Sequence, residues 1–118
     1  MQVPFKINLE NKVAVVTGGG GILCAVFAKA LAACGAKVAV LDLKKEAADN
    51  VADEINKNGG TAVGVEANVL DINSLKEAKK TVNEKLGKCD ILINGAGGNH
   101  PKGNTSKEYF EEGDLDKE

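Results

Sequence analysis

Thr17-Gly18-Gly19-Gly20-Gly21-Ile22 joins an apolar run to an amphipathic stretch. Glycines at a strand-to-helix junction let the backbone turn sharply and approach a pyrophosphate, whose charge the free N–H groups of a helix N-terminus can hold. A glycine run alone is equally a flexible turn; the strand before and the helix after are what dinucleotide binding requires. Asp42 closes the next apolar run. A carboxylate there can accept hydrogen bonds from both hydroxyls of an adenosine ribose while repelling the 2′-phosphate of NADP. The alternative is a helix cap or an exposed strand-end acid. All 15 basic residues are lysines, so no guanidinium is at hand for a 2′-phosphate. NAD is therefore expected over NADP, with Lys44 and Lys45 keeping NADP open.

Few other residues offer chemistry. His100, the single histidine, lies in a Gly/Pro loop and is weighed as a substrate contact against a solvated surface residue. Cys24, Cys34 and Cys89 form no C-x-x-C pair, which excludes a disulfide framework and a cysteine-only zinc site and leaves three buried thiols as the expectation. No basic stripe argues for nucleic acid, and no apolar run reaches the ~18 residues of a membrane span. The start, Met1 to Lys6, lacks the apolar segment of a secretory signal, so a cytoplasmic location is expected and Asn104-Thr105-Ser106 is expected to stay unglycosylated.

The elements that must position these residues can be read from periodicity. Lys12 to Thr17, Lys37 to Asp42, Thr61 to Ala67 and Cys89 to Asn94 are short apolar runs, expected as strands of a parallel sheet covered on both faces. Three helical stripes alternate with them: Ile22, Val26, Ala30 with Leu23, Phe27, Leu31; Ala48, Val51, Ala52, Ile55; and Ile72, Leu75, Ala78, Val82, Leu86. Gly35, Gly59-Gly60 and Gly87 fall where a left-handed residue closes a helix, and Asp71 stands where it can cap the third. Strand, helix, strand, three times over, implies an α/β doubly wound sheet with right-handed crossovers. Beyond Asn94 comes a Gly/Asn/Pro loop, then six acids against two lysines from Asn104 onward. Thr105 and Glu108 have capping-box spacing there, and a basic partner protein is the sharper alternative to a solvated acidic surface.

Together, Thr17 to Leu23, Asp42 and Asp90-Ile91-Leu92-Ile93-Asn94-Gly95-Ala96-Gly97 resemble the short-chain dehydrogenase/reductase family, with its Thr-Gly loop after strand one and its Asn-Asn-Ala-Gly motif after strand four. The resemblance runs from about Lys12 to Gly98. Gly97 to Gly103 and the four-glycine loop resemble more narrowly its D-mannonate oxidoreductase, or fructuronate reductase, branch. It implies a Rossmann-type sheet in the order 3-2-1-4. By position it also implies that Thr17, Gly18, Gly21 and Ile22 surround the pyrophosphate, Gly19 and Gly20 belonging to the same cofactor-binding loop, and that Asp42 with Leu43 holds the adenosine ribose. Asn68-Val69 would lie beside adenine, and Asn94, Ala96 and Gly97 would border the nicotinamide ribose. Three departures stand out. The glycine loop is one residue shorter than the family pattern, so its third glycine position falls on Leu23 or Cys24. Asn68 replaces Asp, and Gly95 replaces the second Asn.

The family's chemistry uses a Ser and a Tyr and Lys four residues apart, an arrangement in which the adjacent cation lowers the tyrosine pKa. Here the one tyrosine, Tyr109, is followed at that spacing by Gly113, and neither Ser74 nor Ser106 has a reason to face the cofactor, so no catalytic residue is assigned. Residues 1–98 are expected to form the N-terminal part of a Rossmann NAD-binding domain, and 99–118 a loop and acidic tail opening a substrate-side insertion. The expected activity is NAD(P)-dependent hydride transfer between nicotinamide and a secondary alcohol or ketone, a sugar acid of the mannonate/fructuronate type, with this chain binding cofactor only. The alternatives are a non-catalytic NAD-sensing module acting through a protein partner, and an epimerase or dehydratase half holding NAD tightly. The fourth strand is expected as an apolar edge, with Ile91 and Ile93 half-covered, favouring self-association into a homo-oligomer.

Overall fold

The structure, a computed structural model, describes residues 7–96. Four strands alternate with three helices: β1 (Val13–Thr17), α1 (Ile22–Ala33), β2 (Lys37–Asp42), α2 (Lys45–Lys57), β3 (Thr61–Glu66), α3 (Ile72–Lys85) and β4 (Ile91–Asn94). The strands form one sheet in the order β3-β2-β1-β4, every pair parallel. Register aligns Thr17 with both Leu41 and Asn94, so β1, β2 and β4 end level at one rim of the sheet. The order switches there between β1 and β4, where a crevice opens in doubly wound sheets.

Both faces are covered. Ala14, Val16, Val38 and Val40 point to one side, where Ala25 and Ala28 of α1 and Ala48, Val51, Ala52 and Ile55 of α2 close over them. Val13, Val15, Ala39, Leu41 and Val65 point to the other, beneath Ala78 and Val82 of α3 and Leu86. Gly35, Gly59 and Gly87 all have positive φ one residue past their helices' C-caps. Asp71 caps α3 as its spacing implies, accepting from the amides of Asn73 at 2.9 Å and Ser74 at 3.4 Å.

The sequence-derived face of α1 is corrected. Ile22, Leu23, Val26 and Phe27 are 94%, 65%, 43% and 40% exposed, whereas the sheet is met by Ala25 and Ala28, with Cys24, Leu31 and Ala32 at their flanks. α1 is apolar nearly all round, so hydrophobic spacing cannot choose its buried face. Alanines let its backbone approach β1 and β2 closely, which the bulkier stripe would prevent. The third stripe is shortened too: Ile72, at the first turn of α3, is 67% exposed. Cys89 precedes β4 and is exposed rather than buried, while Cys24 and Cys34 are partly covered. At β4 the alternation places Ile91 and Ile93 half-buried against the α1 side, and Leu92, 55% exposed, carries most of the uncovered apolar surface. Gly97, His100, the 104–106 site and the acidic tail, all within 97–118, lie outside the described residues.

Candidate cofactor-binding site

The glycine loop is held rather than loose. Gly19 N donates to Leu41 O at 3.0 Å, Gly20 N to Asp42 Oδ2 at 3.0 Å, and Gly21 N to Gly18 O at 3.1 Å. Three consecutive amides are thus spent on shaping the turn. Gly18 takes φ +65°, and a Cβ there would lie 2.8 Å from Ala96 N and Gly95 O, so the loop presses directly against the segment after β4. A Cβ on Gly20 would lie 2.6 Å from that of Ala47 and 2.8 Å from Asp42 Oδ2, and one on Gly19 would strike Val40. Each of these three glycines is demanded by a different neighbour, which a merely flexible turn does not require.

The amides left over are those of α1. Its first backbone bond runs from Ala25 N to Gly21 O at 2.9 Å, and no side chain caps Gly21. Ile22, Leu23 and Cys24 therefore present N–H groups with no partner among the described residues, at the positive end of the helix macrodipole. A ready site for an anion lies at this end of the sheet. It is formed by the helix turn, not by the glycine amides themselves.

Thr17 ties the two loops together. Buried at 6% exposure, its hydroxyl accepts from Gly95 N at 3.1 Å and Ala96 N at 3.2 Å and lies 3.4 Å from Ile93 O, to which it donates. Asn94 stands at the exposed end of β4 beside this knot.

Asp42 is half-buried, and its two carboxylate oxygens each accept one amide: Gly20 N on Oδ2, Lys44 N on Oδ1, both at 3.0 Å. It is not the cap of α2, whose N-cap is Lys44. Each carboxylate oxygen keeps acceptor capacity for a hydroxyl. Lys45 is turned away from it, its ammonium shared between Asp49 and Gly64 O, 3.1 Å distant. Asn68 Oδ1 accepts from Leu70 N at 3.0 Å, and Asn68 N donates to Ser74 Oγ at 2.9 Å, which fixes the bend between β3 and α3. Leu43, directly after β2, and Val69, between β3 and α3, are 63% and 39% exposed.

Sequence reasoning named Thr17 to Ile22, Asp42, Leu43, Asn68, Val69, Asn94 and Ala96; the parallel register sets Thr17, Asp42 and Asn94 at the same ends of their strands, Asp42 binds the glycine loop at Gly20, and Gly18 packs on Ala96. It missed the grip of Asp42 on Gly20, the support from Ala47, and Cys24, whose thiol lies against Gly95. No signal in the sequence joins Gly20 to Asp42. The small residue at 47, two positions after Lys45, was the one available hint. On the α3 side, a hollow of about 700 Å³ lies along β1 and β4, lined by Val15, Leu75, Val82 and Leu92 among others.

Residues 12–116 match the family model for short chain dehydrogenases. An uncharacterised oxidoreductase of Haemophilus influenzae is 49% identical over 111 residues, covering 94% of this chain and 39% of that protein. The 7alpha-hydroxysteroid dehydrogenase of Escherichia coli is 38% identical over 96 residues, covering 81% of this chain and 38% of the enzyme. Among solved structures, a Haemophilus protein assigned as a D-mannonate oxidoreductase, crystallised with bound NAD, superposes with a TM-score of 0.77 at 48% identity, covering 93% of this chain and 42% of that one. The chain thus spans about two fifths of the length of the curated relatives it matches. With the glycine turn, the carboxylate at the end of β2 and the parallel β3-β2-β1-β4 sheet, these likenesses place the chain in the short-chain dehydrogenase family.

Proposed function

We propose that this chain forms the cofactor-holding part of an NAD-dependent oxidoreductase. The uncapped α1 N-terminus, presented by a tight turn in which Gly18, Gly19 and Gly20 pack against the segment after β4, Val40 and Ala47, suits a pyrophosphate. Asp42, held by two amides at the end of β2, suits the adenosine ribose together with Leu43, with Asn68 and Val69 beside adenine. Asn94, Ala96 and Gly97 complete the nicotinamide side. NAD supplies hydride chemistry when bound; the residues of this chain bind and orient it. Residues 1–98 are the cofactor-binding part and 99–118 the start of a substrate-side segment in this reading.

Asp42 carries the choice of NAD. A 2′-phosphate beside a carboxylate is repelled, like charges at close range costing several kcal/mol, and the neighbouring Lys45 is engaged by Asp49 and Gly64. Titration of the chain with NAD and NADP by calorimetry is the test. NAD is expected to bind at least about tenfold more tightly, and Asp42→Ala to narrow the gap. Equal affinity for both, or a gap indifferent to Asp42→Ala, overturns the reading.

The substrate proposed is a secondary alcohol or ketone of the sugar-acid class, mannonate and fructuronate being the pair, supported by 48% identity to the protein assigned as a D-mannonate oxidoreductase. His100 is the contact proposed for that acid. In a protein carrying this chain together with a Ser and a Tyr-x-x-x-Lys, His100→Ala is expected to raise the KM for the sugar acid several-fold with little change in that for NAD.

A further inference from the structure

Two departures from the family's motifs meet in space. Cys24 stands at one of the positions on which the third loop glycine falls, and Gly95 stands where the family carries its second Asn. In the fold they touch: a Cβ built on Gly95 would overlap Cys24 Sγ and would come 2.7 Å from Thr17 O. Cys24 is a free thiol, partly covered, packed against the core beneath α1. Gly95 in turn donates its amide to Thr17, and its carbonyl oxygen occupies the space a Cβ on Gly18 would need. The thiol therefore abuts the segment that sets the distance between the glycine loop and the end of β4.

We infer that Cys24 and Gly95 are a matched pair, in which side-chain volume has passed from the β4 loop to the first turn of α1. The thiol fills from the helix side the space that a residue at 95 would fill from the loop side. Cys24 is then a positioning residue: it holds Asn94 to Ala96 against Thr17 and Gly18, and through them the two walls of the cofactor site. A glycine at 24 leaves that segment unsupported. A side chain at 95 with Cys24 present cannot be accommodated without displacing it, because close-packed interiors resist added atoms.

The test is a double-mutant cycle of wild type, Cys24→Gly, Gly95→Ala and the double variant, read by melting temperature and by NAD affinity. Gly95→Ala is expected to lower the melting temperature and weaken NAD about tenfold or more. Adding Cys24→Gly should recover about fivefold or more of that loss, with a remainder owed to Thr17 O. Cys24→Ser, of nearly equal size, should bind NAD as wild type does, whereas Cys24→Gly alone should bind several-fold more weakly. Penalties that simply multiply in the double variant overturn the pairing. Should Gly95→Ala not fold, Cys24→Gly binding NAD as tightly as wild type overturns it equally. The affinity arm rests on the NAD reading: a wild-type chain that ignores NAD sinks that reading, and the melting cycle still decides the pair.

Discussion

At the scale of single residues, the site is organised by polar side chains that serve the backbone first. Thr17 is the clearest case, since one buried hydroxyl answers two amides from the loop after β4. Thr17→Val keeps the shape and removes the acceptor, leaving Gly95 N with the carbonyls of Thr17 and Ile93, and Ala96 N without its hydroxyl partner. It is expected to cost about 1–3 kcal/mol in urea denaturation and to weaken NAD in parallel. Lys45 makes the opposite point. Sequence proximity to Asp42 offered it as a cation for a 2′-phosphate, yet its ammonium lies on Asp49 and Gly64. Lys45→Ala is accordingly expected to leave the NAD-to-NADP preference within about twofold, measured by the same titration, because an exposed ion pair of this kind contributes little beyond its own contact. The residue types were legible in the sequence; which partner each would take was not, since Asp42 and Gly20 are joined only by the β1-α1-β2 crossover.

At the scale of elements, chain signals with local causes read true. Asp71 caps α3 through amides two and three residues away, and Asp71→Ala is expected to lower stability by about 1 kcal/mol. The helix-closing glycines are equally local. α1 differs because its sequence is apolar on every side, and only the sheet beneath it selects the alanine face. Ala28, fully buried, and Ile22, 94% exposed, are the discriminating positions. Ala28→Leu is expected to cost about 1–3 kcal/mol by overpacking, while Ile22→Thr should stay within about 0.5 kcal/mol. Thermal or urea unfolding of the two variants checks the assignment of the face, and the reverse ranking would restore the large-residue stripe.

At the scale of the molecule, the sheet is asymmetric in its cover. β2 and β1 lie inside it with helices on both faces, whereas among the described residues β4 forms one edge, Leu92 is exposed and an apolar hollow runs beside it. An uncovered apolar edge invites pairing. The 118-residue chain is expected to self-associate with rising concentration in sedimentation velocity, and Leu92→Lys to shift it toward monomer. A concentration-independent monomer with a cooperative melt would remove this expectation. By itself the sequence determined the alternation of strands and helices, the Asp71 cap and the glycines that close the helices, because period, capping spacing and glycine placement are properties of neighbouring residues. Tertiary structure alone decided which face of α1 is buried, that Asp42 grips the glycine loop, and that Cys24 and Gly95 share one space. Those outcomes depend on packing and hydrogen bonding between segments 22 and 71 residues apart, whose separations do not exist until the sheet has closed.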